Sequence, residues 1–156
     1  MSRIPQSLFD AAAVNRPLRG RVAIAGAATY GCGEAPGMDD MTLLVRAAQA
    51  AVQDAGLSMQ DIDGLATCSV NATMWAMPVI EHLGINPHYV NGTMIGGCSF
   101  MALVRHACAA IASGAANVVL VTHGESGRSG VGRANNVRPA TSMGGQFEAP
   151  YGALAP

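Results

Sequence analysis

His88–Glu125 reads HYVNGTMIGGCSFMALVRHACAAIASGAANVVLVTHGE. Tyr89–Asn91 begins it as a short strand, and a glycine pair, Gly96–Gly97, follows. A run from Cys98 to Ala112 has helical character, Gly114 stops it, and Val118–Thr122 makes the next strand. Only Arg105 and His106 interrupt the apolar residues of the helix. A helix without a polar face is expected to be buried in a core. Its N-terminus opens at glycines beside a cysteine, where unpaired N–H groups and the positive end of the helix dipole meet. That is the place to look for function.

The rest of the chain repeats the same alternation. Val22–Ala25 (VAIA) is expected to be a strand. Asp39 and Asp40 cap a helix in which Leu44, Ala47, Ala48, Ala51, Val52 and Ala55 recur at helical spacing, and Gly56 ends it. Asp61-Ile-Asp63-Gly64 turns into a strand at Leu65–Val70. Trp75–Leu83 reads as a helix that accommodates Pro78 in its first turn. Strands alternating with helices argue for an α/β fold with a mainly parallel sheet. Residues 1–20 form a lead-in, with one or two helical turns over Ser7–Val14; 21–125 form the α/β domain; 126–156 form a glycine- and proline-rich loop segment. A loop that long is either functional or continues into further polypeptide.

The totals narrow the function. The chain has 156 residues, of which 50% are hydrophobic, 12% charged and 4% aromatic, so an aliphatic core of useful size is available. A net charge of −1 gives no broad attraction to nucleic acid or to an anionic membrane. No run reaches the roughly 18 apolar residues of a membrane span. The N-terminus lacks a signal-peptide pattern, and a cytoplasmic protein is expected. Cys32, Cys68, Cys98 and Cys108 form no CxxC pair, and His82, His88, His106 and His123 are scattered, so free buried thiols are expected and no metal site. The glycines at Gly31 and Gly33 do not make a dinucleotide fingerprint, because Pro36 stands where the third glycine belongs.

Several segments taken together resemble the thiolase superfamily, in particular thiolase-like proteins of the sterol-carrier-protein-x or lipid-transfer type. They are Val22-Ala-Ile-Ala-Gly26, Asp61-Ile-Asp-Gly-Leu65, Gly96–Gly97, Ile111-Ala-Ser-Gly114, Asn117-Val-Val-Leu-Val121, His123-Gly-Glu125 and Gly145-Gln-Phe-Glu-Ala-Pro-Tyr-Gly152. The resemblance implies a layered α-β-α-β-α fold built from two similar halves, of which this chain is most of the first. It implies acyl-CoA thioesters as substrates, no permanently bound cofactor, and a homodimer. The leading expectation is a thiolase-type acyltransferase making or breaking carbon–carbon bonds. The alternatives are a cysteine-independent aldolase on acyl-CoA side chains, working with a partner that has an OB fold and a zinc-binding segment, and a non-catalytic lipid-carrying or assembly module.

The resemblance places the family's nucleophile at Gly97, one residue before Cys98. One residue on a helix is a turn of about 100° and a rise of about 1.5 Å. Cys98 is therefore either a displaced nucleophile, activated by the helix N-terminus, or a small packing residue. Gly97 is a candidate oxyanion-holding N–H. His123 is a candidate base, whereas His106, roughly 12 Å further along the helix, cannot serve. Arg128, Arg133 and Arg138, five apart, either meet coenzyme A phosphates or a partner, or belong to a solvated loop. Tyr151, with Gln146, Phe147 and Glu148, is a candidate for a substrate lid or a dimer contact. Met74, Trp75 and Met77 form an apolar cluster that is expected to pack the core and could also line an acyl site.

Overall fold

The computed structural model describes residues 18–69, 74–127, 129 and 145–152. Three strands form a parallel sheet: β1 (Gly64–Thr67), β2 (Tyr89–Asn91) and β3 (Val119–Thr122). Their order is β2-β1-β3, with Leu65 opposite both Val90 and Leu120. The helices are α1 (Asp40–Asp54), α2 (Ala76–Leu83), α3 (Ser99–Ala112) and a short α4 (Gly145–Glu148).

Side chains alternate across the sheet as strand geometry requires. Leu65 and Leu120 pack with Leu44, Ala48 and Val52 of α1 and with Val79 and Leu83 of α2. Ala66, Cys68, Val119 and Val121 pack on the other face with Leu103 and Phe100 of α3. The path from β1 to β2 moves one way across the sheet, and the path from β2 to β3 moves back past β1. Crossovers of one hand running in opposite directions place their helices on opposite faces. β1 is covered on both faces and both edges, and all four of its residues are buried.

The helix ends follow the sequence. Asp39 accepts the Thr42 N–H at 2.7 Å and caps α1, and Gly56 follows the helix at φ 68°. Gly84 and Gly114 stop α2 and α3 in the same left-handed conformation, which carries no penalty without a Cβ. Pro78 is the third residue of α2, where it lacks only an N–H that has no intrahelical partner.

Four expectations need correction. Val22–Ala25 is not a strand; residues 22–30 make no ladder. The segment leans on α1 instead, with Gly26 against Ala51 and Ala55 and the Ala27 N–H donating to Asp54 at 3.0 Å. Second, α3 is not buried all round. Leu103, Ala107 and Ala110 face the sheet, while Met101 is 74% exposed and Val104, Arg105 and His106 are also exposed. Third, the tail is not wholly loop, because α4 and a 3₁₀ turn at Ala149–Tyr151 lie within it. The second strand is also shorter than expected, ending at Thr67. The helical turns expected over Ser7–Val14 lie outside the described residues.

Asp63 joins the three strands at their N-terminal ends. Its carboxylate accepts the N–H groups of Asn117 (2.9 Å) and Val118 (2.8 Å) and the Asn117 side-chain amide (2.8 Å). Its backbone carbonyl accepts from His88 (2.8 Å) and Tyr89 (3.2 Å), ahead of β2. Burial pushes its pKa upward, but the N–H groups of Val118 and Asn117 and the Asn117 side chain outweigh this and hold it below the ordinary value. A carboxylate of this kind stabilises the fold above its unfolded pKa of about 3.9 and loses that contribution as pH falls through the depressed folded value. Asp63→Asn should therefore destabilise the chain by about 1–2 kcal/mol at neutral pH. The gap between wild-type and variant urea midpoints should stay constant from about pH 7 to 5 and close below about pH 4.

Candidate functional site at the C-terminal rim of the sheet

In a parallel sheet the carboxyl ends of the strands converge on one rim, where ligands of open α/β sheets bind. Here the rim gathers Cys68 and Ser69 after β1, Gly92–Cys98 after β2, the first turn of α3, and His123–Glu125 after β3. The loop before α3 is held by Ser99, which is fully buried. Its hydroxyl donates to the Gly96 carbonyl at 2.6 Å and accepts the Ile95 N–H at 2.9 Å. Gly96 sits at φ 83°, which lets the chain double back into the helix.

Cys98 is the N-cap of α3 and is exposed. Its thiol donates back to the Ile95 carbonyl at 3.1 Å. The thiol is thus engaged by its own loop. Gly97 is exposed, and a side chain there would meet nothing within 4 Å, so its backbone can be approached closely. The expectation of free buried thiols holds for Cys68 but not for Cys32 and Cys98, which are exposed. Burial raises the Cys68 pKa, and its contact with Ser99 offsets only part of that rise.

His123 is brought to the same rim. Residues 119, 121 and 123 alternate onto the α3 face, and the His123 ring lies 4.7 Å from Phe100 in the first turn of that helix. Nδ1 is 3.2 Å from the Cys68 carbonyl, which can only accept, so their bond puts a proton on Nδ1. Nε2, 3.8 Å from the Glu125 carboxylate, is the nitrogen left to exchange a proton. The next residue, Gly124, is pressed against the first turns of α1, where an added Cβ would meet Asp40 and Leu44 backbone atoms. This contact sets the height of His123 above the sheet.

Beside this group lies a cavity of about 320 Å³ lined by Thr67, Cys68, Trp75, Met77, Gly92 and Met94, among others. Met74 and Met77, expected in the core, are instead 74% and 52% exposed and border this cavity; Trp75 does pack against the core. Thr67 Oγ1 and Trp75 Nε1 are buried without a hydrogen-bond partner among the described residues. Sequence reading singled out Trp75 and the His123-Gly-Glu125 segment but gave no role to Ser99, to Thr67 or to the Glu125 carboxylate. The two-residue periodicity of β3 could have pointed to Glu125 on the His123 face.

Tyr151 is 89% exposed at the end of its 3₁₀ turn. Arg128, Arg133 and Arg138 lie outside the described residues. No group of three or more His, Cys, Asp or Glu side chains suited to a metal occurs among the described residues. No helix among them is long and apolar enough to cross a membrane.

No family model matches the chain. Over 146 residues it is 30% identical to the 17-hydroxy-3-oxo-4-pregnene-20-carboxyl-CoA lyase of Mycobacterium tuberculosis, covering 89% of this chain and 38% of the lyase. It is 33% identical over 115 residues to a steroid side-chain-cleaving aldolase of Thermomonospora curvata, covering 73% of this chain and 29% of the aldolase. Among solved structures, the Ltp2-ChsH2(DUF35) aldolase superposes with a TM-score of 0.69 at 29% identity, covering 86% of this chain and 34% of that one. A monomeric SCP2-thiolase like protein type 1 from Mycobacterium smegmatis superposes with a TM-score of 0.53 at 27% identity, covering 63% of this chain and 22% of that one. The chain thus spans between 22% and 38% of these relatives' lengths.

The exposures order the thiols by reactivity. Brief alkylation at pH 7.5 followed by peptide mass spectrometry should label Cys98 and Cys32 and spare Cys68. Ser99→Ala should speed labelling of Cys98, because it frees the loop that holds the thiol.

Proposed function

We propose, for a chain whose fold is thiolase-like, that it forms the front part of a carbon–carbon lyase of the aldolase type acting on a 3-hydroxyacyl-CoA thioester, and that it does so without a cysteine nucleophile. The observation that carries this reading is the Cys98 thiol bonding back to Ile95, beside the Gly97 that the resemblance puts at the family's nucleophile position. The two curated relatives, named as a lyase of a 17-hydroxy-20-carboxyl-CoA steroid and as a side-chain-cleaving aldolase, support the same chemistry rather than acyl transfer.

In such a reaction a base takes the proton of a hydroxyl that lies β to the thioester carbonyl. The oxygen forms a ketone as the adjacent carbon–carbon bond breaks. The electron pair passes into the thioester as an enolate, which is then protonated to a shortened acyl-CoA. No oxidant or metal is needed for the balance. In this chain the backbone N–H groups at Gly97 and Cys98 make no backbone hydrogen bond among the described residues and lie where helix polarity favours negative charge. They suit the enolate oxygen. His123 Nε2 suits a proton-transfer role, and the neighbouring cavity suits the apolar part of the acyl group. The polypeptide beyond this span would complete the site. A second protein would join it, as the paired name of the superposed aldolase suggests for that complex.

The test is Cys98→Ala in the complete protein, assayed for ketone release from a 17-hydroxy steroid 20-carboxyl-CoA. The expected kcat/KM stays within about threefold of wild type, with no acyl adduct in intact-mass spectra. A loss of about a thousandfold or more, with an acyl group on the Cys98 peptide, would establish acyl transfer instead.

A further inference from the structure

A fold has two internal reasons to keep a glycine: a left-handed φ, or a neighbour too close for a Cβ. Every other glycine of residues 18–124 answers to one of them. Gly96 and Gly114 sit at φ 83° and 78°. An added Cβ on Gly26 would strike the Ala51 backbone, one on Gly92 would come within 3.1 Å of the Thr67 carbonyl, and one on Gly124 would strike the start of α1. Gly97 answers to neither, because its φ is not positive and a Cβ there meets nothing within 4 Å. A side chain at such a position reduces the entropy lost on folding. Nothing among the described residues therefore calls for its absence. The open space is placed for a ligand. It lies at the carboxyl rim of the sheet, where open α/β sheets bind their ligands. The N–H groups of Gly97 and Cys98 make no backbone hydrogen bond among the described residues, and Met94 of the same loop borders the rim cavity.

We propose that Gly97 is a specificity-determining residue: the space of its missing side chain admits a β-carbon that carries two carbon substituents besides its hydroxyl and the bond that breaks. The substrate class is a 3-hydroxyacyl-CoA with a tertiary hydroxyl, and the carbonyl product is a ketone. An enolate oxygen held by the Gly97 and Cys98 N–H groups brings the thioester chain past the empty Cβ position. The β-carbon is only a few bonds from that oxygen, so a side chain rooted at Gly97 competes with its second substituent for the same room. A secondary hydroxyl has hydrogen there and needs less room. It loses its proton to the base and its carbon–carbon electron pair to the enolate in the same way, and releases an aldehyde. The inference rests on the aldolase reading and adds to it the residue that chooses the substrate.

The test is Gly97→Ala and Gly97→Val in the complete protein, with two probes and a melting curve. One probe is a 17-hydroxy steroid 20-carboxyl-CoA, whose hydroxyl is tertiary. The other is a steroid acyl-CoA with a secondary β-hydroxyl on an open side chain. Ketone and aldehyde release are followed separately. Gly97→Ala should lower the ratio of kcat/KM for the tertiary over the secondary probe by about 10- to 200-fold, and Gly97→Val should lower it further. The thermal midpoint of Gly97→Ala should be no lower than that of wild type, since the fold has room for the methyl group. A working wild type whose ratio stays within about threefold on substitution overturns the proposal. So do equal losses on both probes with a lowered midpoint, which would show that polypeptide outside the matched region needs the glycine. Failure of the wild type to release ketone from the tertiary probe would instead sink the aldolase reading, and this inference with it.

Discussion

One carboxylate holds the sheet in register. Asp63 stands just before the central strand and binds the backbone that leads into β3 through its side chain and the backbone that leads into β2 through its carbonyl. Three short strands, of three or four residues each, offer few ladder bonds of their own. A charged acceptor shared by two N–H groups and a side-chain amide is stronger than a neutral bond and sets where each strand begins. Everything at the opposite rim inherits that register: Cys68, the loop to Cys98, and His123 are where they are because their strands start where Asp63 places them.

The site is a further product of parity and close approach. His123 faces α3 because Val119 and Val121 do. Its height is set by Gly124, which fits against α1 only because it has no side chain. The loop from Met94 to Cys98 keeps its shape through the buried Ser99 hydroxyl rather than through apolar packing. The helix N-terminus, the imidazole and the apolar cavity therefore meet at one rim, with the imidazole against Phe100 of the first helical turn and bonded to the Cys68 carbonyl beside the cavity.

Most of this fold was legible in the chain. The spacing of Leu44, Ala48 and Val52 marked α1, Asp39 marked its start, and the glycines marked the helix ends, because these are local effects of cap and period. The α/β class followed from their order, and the thiolase-like fold from the resemblance of several segments to that family. The order of the strands in the sheet was not legible, nor was the role of Asp63, since both depend on contacts about 55 residues apart. Val22–Ala25 misled for a physical reason: its composition is that of a strand, but a strand also needs a partner edge, and among the described residues none is adjacent. The apolar circumference of α3 misled in the same way, since its outer face has no cover here. At the site, the glycines, Cys98 and His123 could be read from the sequence. The roles of the Ser99 and Thr67 hydroxyls and of the Trp75 indole N–H could not, because a polar group's worth there is set by burial.

The chain has one tryptophan, and its placement has an optical consequence. Trp75 packs against the aliphatic core and borders the rim cavity, and its indole N–H is buried without a hydrogen-bond partner among the described residues. Indole emission responds to the polarity around the ring. The intrinsic fluorescence of this protein is therefore a gauge of how polar the border of the rim cavity is, read without any dye and without any need for turnover.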